Sequence, residues 1–317
     1  MSGILVVGSV ALDSVRTTAG KSVEALGGSA TYFALAASYF ADVALVGVVG
    51  EDFPRAHRHT LERRGVDLSG LKVAKGKTFR WSGRYGKDAS IAKTLATDLN
   101  VFKNFKPVLS EAQRRMPVVF LANIDPDLQA SVLAQMQSPA LVACDTMNYW
   151  IDSKPAAIKK LLCKVDVFFS NDQEAMRLTG APNALQAAEA LGALGPAVIV
   201  IKKGEHGALM KVGSKFFVFP AYPLARIKDP TGAGDTFAGG FLGSLASMGG
   251  PHNDVGRLKR AMAYGTTMAS FNVEDFSTRN IEALERELIE ERFHDFAERM
   301  TVPRVEGLFK GRRAVSA

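Results

Sequence analysis

Asp229-Pro230-Thr231-Gly232-Ala233-Gly234-Asp235, running on into Thr236-Phe237-Ala238-Gly239-Gly240-Phe241, reads as a turn that opens a helix. Gly232 and Gly234 carry no side chain, so backbone N–H groups there can close on an anion. A helix beginning near Gly234 adds its unpaired N–H groups and the positive end of its dipole. Asp235 falls in the first turn, its carboxylate beside the bound anion. Such a site suits transfer of a phosphoryl group to a hydroxyl: the cradle holds the phosphoryl and the carboxylate takes the proton. The same dipole is expected to hold Asp235 ionised at neutral pH. The four residues Gly-x-Gly-Asp equally suit a plain tight turn with Asp as a helix cap. Two other nucleotide motifs are excluded. Phe237 stands where a dinucleotide fingerprint needs its third Gly. Walker loops ending at Gly76-Lys77-Thr78 or Gly20-Lys21-Ser22 would need Gly where Leu71 and Val15 stand.

Outward from this turn the chain alternates two kinds of segment. Apolar, β-branched runs recur at Ile4–Gly8, Val43–Gly50, Val118–Ala122, Ala140–Cys144, Val165–Ser170 and Val198–Lys202. They are continuous, as for strands buried on both faces. Between and after them come helical patterns, among them Ser29–Phe40, Pro54–Arg64, Gln173–Leu178, Thr236–Ser247, Asp254–Phe271 and Thr278–Met300. This alternation predicts an α/β fold with a doubly wound, mostly parallel sheet. Residues 77–105 break the pattern. Phe79, Trp81, Gly83 and Tyr85 alternate with Arg80, Ser82 and Arg84, which predicts a half-exposed antiparallel hairpin. With Val15–Thr18 it forms a small sheet standing off the main body, either a lid over a site or a ribbon for a homodimer; the two are compatible.

Composition bounds the alternatives. The 317 residues, 47% hydrophobic, suffice for a large core and exclude disorder. No apolar run reaches a membrane span, and the N-terminus has no basic region before its first apolar run. The formal charge of +7 is scattered apart from the tail Lys310-Gly311-Arg312-Arg313, so a nucleic-acid surface is not expected. Cys144 and Cys163, both in apolar surroundings, read as buried free thiols in a reducing cytoplasm.

A second run is diagnostic: Gly27-Gly28-Ser29-Ala30-Thr31-Tyr32-Phe33-Ala34-Leu35-Ala36, then Val46-Gly47-Val48-Val49-Gly50-Glu51-Asp52-Phe53. It resembles the first signature of the ribokinase-like (PfkB) carbohydrate kinases, and Asp229–Gly240 resembles the second. Order and rough spacing match, and the resemblance covers essentially the whole chain. It implies a three-layer α/β/α core (1–12, 26–76, 106–317) with a β lid (13–25, 77–105). It further implies ATP, Mg²⁺, and phosphorylation of a hydroxymethyl group on a sugar or nucleoside. Residue by residue, Asp235 matches the catalytic base, and Gly232, Ala233 and Gly234 match the anion hole. Asn171 and Glu174 match the Asn-x-x-Glu element, Glu174 positioning Mg²⁺ through water. Lys202, Gly204 and Gly207 resemble the nucleotide-side loop, and Thr231 is grouped with the ATP residues. Asp13 matches the carboxylate that accepts from substrate hydroxyls, at the Gly27-Gly28 turn. Asp145 and Asn148 fall at another strand end, where polar site groups are expected, as does Asn123, for which a turn role alongside Asp125 serves equally. Many relatives place Asn where this chain has Tyr32, which leaves room for a nucleoside base stacked on an aromatic ring. The family's monovalent-cation loop is not clearly recognisable around Ser270–Asp275. A catalytically idle homologue is the distant alternative.

Overall fold

A computed structural model describes residues 3–86 and 92–301. The basic tail at Lys310–Arg313 and residues 87–91 lie outside them. In chain order the strands are β1 Gly3–Val7, β2 Ala11–Thr17, β3 Gly20–Gly27, β4 Asp42–Gly50, β5 Asp67–Ala74, β6 Phe79–Tyr85 and β7 Ala92–Asp98. They continue as β8 Val118–Leu121, β9 Leu141–Cys144, β10 Val167–Asn171, β11 Val198–Lys202, β12 Ala208–Val212 and β13 Lys215–Phe219.

Nine strands make one sheet in the order β13-β12-β11-β10-β9-β8-β1-β4-β5. From β5 across to β11 every pairing is parallel; β12 and β13 add an antiparallel edge. The side-chain period of 2 assigns alternate residues to opposite faces. Ile4, Val6, Phe120 and Phe169 pack on one side with Phe33, Leu35, Phe241 and Met262. Leu5, Val7, Leu121 and Phe168 pack on the other with Val132, Leu161, Leu178 and Leu191. Each fully buried side chain of this size is worth about 1.5–3 kcal/mol, which explains why these strands are apolar on both faces. The result is three α/β/α layers. Strand order reverses around β1, and crevices at the carboxyl ends of such a sheet are where ligands bind.

The remaining four strands make a second sheet, β3-β2-β6-β7. Here β2 and β6 are parallel, and the outer pairs antiparallel. It is larger than the sequence reading of Val15–Thr18 plus a hairpin, because β2 begins at Ala11 and β3 runs into the Gly27-Gly28 turn. Polar alternation hid β3 and β5, which carry no continuous apolar run. Arg80 of β6 ties this sheet to the core, bonding Asp52 at 2.8 Å, while Asp52 accepts from Thr78 N–H and Oγ1, each at 2.7 Å.

Two expectations need correction. The stretch Thr278–Met300 is not one helix: Arg279–Glu282 and Arg286–Met300 are separate. Leu284 in the break is buried, and its carbonyl accepts from Tyr39 Oη at 3.0 Å, as Ile281's does at 2.6 Å. Those tertiary bonds outbid the helical continuation. Cys144 is buried, its thiol pushed well up by desolvation, but Cys163 is exposed at the end of a surface helix. No described helix is long and apolar enough to cross a membrane.

Candidate active site

The loop Asp229–Gly232 leads into the helix Ala233–Ser247. Gly232 is its N-cap, in the left-handed conformation at φ 75°, and no side chain caps the first turn. The conformation and the space both require glycine: a Cβ here would lie 2.4 Å from the ring of Tyr32. The loop is built by its own polar groups. Asp229, 1% exposed, accepts from Thr231 N–H at 2.9 Å and from Ser277 N–H at 3.1 Å. Asn272, fully buried, donates Nδ2–H to the Thr231 carbonyl at 2.8 Å and accepts from Thr236 Oγ1 at 3.3 Å. Thr231 Oγ1 donates to Tyr85 Oη at 3.3 Å, so the last residue of β6 joins the second sheet to this loop. Burial pushes the Tyr85 hydroxyl up to about 12.

Around the turn the sheet delivers carboxylates. Asp13, on β2, is held against the Gly27-Gly28 turn: Gly28 N–H reaches its Oδ2 at 3.3 Å. A Cβ on Gly27 would lie 2.0 Å from that same oxygen, so glycine there admits the carboxylate. Asp145 follows β9; Lys202 ends β11. Lys202 Nζ bonds Asp145 Oδ2 at 2.7 Å, with side chains 17% and 5% exposed. Asp145 Oδ1 accepts from Thr146 N–H at 2.7 Å. Asn171 ends β10 and caps the helix Asp172–Thr179 in a reciprocal box. Its Oδ1 takes Glu174 N–H at 2.7 Å, and the Glu174 carboxylate takes Asn171 N–H at 2.8 Å.

These groups feel one another. Desolvation, then the charge of Asp145, pushes Asp235 up to about 8, with Lys202 opposing. Desolvation and Asp145 push Glu174 up to about 7, again opposed by Lys202. Asp13 rises to about 7 through burial, countered by Gly28 N–H. The expectation that the helix dipole holds Asp235 ionised is therefore corrected: burial among like charges outweighs a dipole worth about 0.3–1 kcal/mol. Lys202 stays charged, its burial offset by Asp145 and Glu174.

Tyr32 also needs correction. It is 1% exposed, with its ring packed under Gly232 and its Oη buried without a partner. It offers no face on which a base could stack. Phe79 is likewise engaged, stacking on Phe102 at 5.5 Å, and Trp81 lies against Gly83. Gly207, at φ 83°, is explained by the chain itself: a Cβ there would lie 2.0 Å from the Phe219 carbonyl. Gly204 opens the short turn before it, Gly207 N–H donating to its carbonyl at 3.1 Å. Among the described residues no side-chain hydrogen bond or ion pair ties Asn123, Asn148, Gly204 or Gly207 to the carboxylates. Asn123 and Asn148 each keep a buried Oδ1 without a partner. Asp125 caps the helix Pro126–Leu133 and pairs with Lys154 at 2.7 Å, which is a turn role. Sequence reading missed Asn272 and Ser277. The signal was there for Asn272: an amide in a buried helical run must find partners inside the protein.

Three comparisons with known proteins complete the picture. A family model described as pfkB family carbohydrate kinase matches residues 1–284. The chain is 31% identical over 264 residues to a cytidine kinase of Thermococcus kodakarensis, covering 81% of this chain and 93% of that one. It is 27% identical to an ATP-dependent ribose-1-phosphate kinase of Halopiger xanaduensis, covering 77% and 80%. Among solved structures, a putative ribokinase II from E. coli in complex with ATP and Mg²⁺ superposes at a TM-score of 0.78. It is 17% identical, with 93% and 100% of the chains covered. A nucleoside kinase of Methanocaldococcus jannaschii gives 0.74 at 19% identity, covering 93% and 99%. At those identities the structural matches speak for the fold.

Proposed function

Since the chain belongs to the PfkB family of carbohydrate kinases, phosphotransferases acting on hydroxyl groups, we propose that it moves the γ-phosphoryl of ATP to the hydroxymethyl group of a nucleoside, with Asp235 as base. The observation that carries the mechanism is the placement of Asp235. Its carboxyl is half-buried in the first turn of an uncapped helix, behind a left-handed N-cap position that favours glycine. The nucleoside assignment rests on the likeness to the cytidine kinase.

Transfer is direct. The acceptor oxygen attacks the γ-phosphorus in line, the bond to the bridging oxygen breaks, and ADP leaves with that electron pair. Asp235 takes the acceptor proton. The N–H groups of Gly234 and Asp235 stabilise charge on the phosphoryl oxygens, whereas that of Ala233, expected to join them, donates to the Pro230 carbonyl at 3.2 Å. Asp13 accepts from two neighbouring hydroxyls of the acceptor. The second sheet acts as the lid that excludes water, closing on the cradle through Tyr85 and Thr231. Mg²⁺ suits one or two carboxylates together with substrate phosphates, and no described cluster of three or more His, Cys, Asp or Glu forms a cage. Glu174, whose carboxylate closes the capping box with Asn171 N–H, would help hold it, and Mg²⁺ when bound would share the phosphate charge.

The direct test is ATP consumption across a panel of sugars and nucleosides. Turnover with nucleosides well above that with free ribose or fructose is expected. Turnover confined to free sugars would overturn the nucleoside assignment, and none with any hydroxyl acceptor would overturn the kinase reading. Asp13→Asn is expected to raise KM for the acceptor about 10–100-fold, since bonds to an ionised partner are worth about 1.5–3 kcal/mol. KM for ATP should barely move. Equal changes in both constants would remove Asp13 from the acceptor site.

A further inference from the structure

Lys202 is the last residue of β11, in register with Asn171 of β10. Its ammonium is buried against Asp145. It also lies over the cradle: a methyl group added at Gly234 would meet Lys202 Nζ at 2.9 Å. Stability alone is a weak reason for such a pair. Replacing a buried ion pair by apolar groups of similar volume is often neutral or stabilising. Chemistry supplies a better one. A phosphoryl group entering this turn approaches Asp13, Asp145, Glu174 and Asp235, four carboxyl groups that repel it when ionised. Lys202 is the positive side chain that counters both Asp235 and Glu174. A flexible ammonium with three donors can turn from one oxygen to another without leaving its place.

Building on the kinase reading above, we propose that Lys202 is a catalytic residue whose ammonium swings from Asp145 onto the transferring phosphoryl group at the Gly232–Asp235 cradle, with Asp145 as its positioning residue. The bonds made and broken are those of direct transfer. The acceptor proton goes to Asp235, ADP leaves with the electrons of the broken bond, and Lys202 gives up no proton. It donates hydrogen bonds to oxygens that gain charge as the phosphoryl moves. Between turnovers Asp145, anchored by Thr146 N–H, holds the ammonium beside the cradle and neutralises it.

The test compares Lys202→Met, Asp145→Asn and the double variant, which leaves neither member of the Lys202–Asp145 pair without its partner if a single variant folds poorly. Kinetics are paired with calorimetric titration of ADP and of a non-hydrolysable ATP analogue. For Lys202→Met and the double variant, kcat should fall about 10²–10³-fold, as when one transition-state donor is removed. Affinity for the analogue should fall about 10–100-fold, with ADP affinity unchanged, since only the analogue carries the third phosphate. Asp145→Asn should weaken the analogue selectively too, by a smaller factor. Equal loss of ADP and analogue, or a folded double variant with wild-type kcat, overturns the role. Asp235→Asn distinguishes the two readings. If it keeps turnover, the kinase mechanism itself falls. If it loses turnover while both Lys202 variants keep theirs, only the assignment of Lys202 falls.

Discussion

Asp235→Asn is expected to lower kcat about 10²–10⁴-fold, the range for removal of a positioned general base. The amide keeps the shape of the side chain and can still sit in the first helical turn, so ATP affinity should hold within about threefold, near 0.6 kcal/mol. Near-full activity in the folded variant would remove Asp235 from the chemistry. Burial and Asp145 push this carboxyl up to about 8, so kcat/KM should rise with pH through a limb near that value and the limb should vanish in Asp235→Asn. The same shift makes stability depend on pH. An unfolded aspartate titrates at its ordinary value of 3.8, the folded one near 8. Between those values the native state binds more protons than the unfolded one, so stability is full below about 4 and drains away as pH rises toward 8. Asp235→Asn removes that loss. Its melting temperature should exceed that of the wild type at pH 8 and converge with it at pH 4. A gain independent of pH would mean that Asp235 is not held neutral by its surroundings. A carboxyl that costs stability at working pH is the trade expected at a catalytic position.

Gly232→Ala should disable the cradle by a different route. An L residue at φ 75° costs about 1–2 kcal/mol. The added methyl would also lie 2.4–2.5 Å from three atoms of the Tyr32 ring. That ring is 1% exposed and belongs to the buried core on this side of the sheet, so overpacking adds about 1–3 kcal/mol. The turn must shift, and with it the N–H groups that face the phosphoryl. Losing one such donor costs about 2.7–4 kcal/mol of transition-state stabilisation, so kcat is expected to fall at least about 100-fold. Far-ultraviolet circular dichroism should stay native while the melting temperature drops. Tyr32→Leu in the same chain opens space under residue 232 and should restore part of the stability, because the two sites are in contact and their effects are not additive. Wild-type kcat in Gly232→Ala would place the cradle elsewhere.

Local pattern determined most of what this chain is. Continuous apolar strands such as Val198–Lys202, spaced by helices, can bury both faces only in a parallel sheet covered on each side. The Gly-Gly turn before Ser29 and the Gly-Ala-Gly-Asp turn before Thr236 both mark backbone that side chains would block. Both are properties of neighbouring residues, and so they can be read from order alone. Quantities that depend on distant partners emerge only in the folded chain. The charge state of Asp235 looked like a matter of one helix dipole, and became one of burial beside Asp145, ninety residues away in sequence. Tyr32 looked like a platform for a base, and proved to be the floor beneath Gly232. Lys202 was placed on a nucleotide loop by its strand, and its pairing with Asp145 and closeness to Gly234 came from three segments meeting at the sheet's carboxyl edge. Asn272 at the far end of another helix and Ser277 in the turn beyond it hold the cradle loop. Desolvation and Coulomb interaction act through space, and sequence separation carries no record of either.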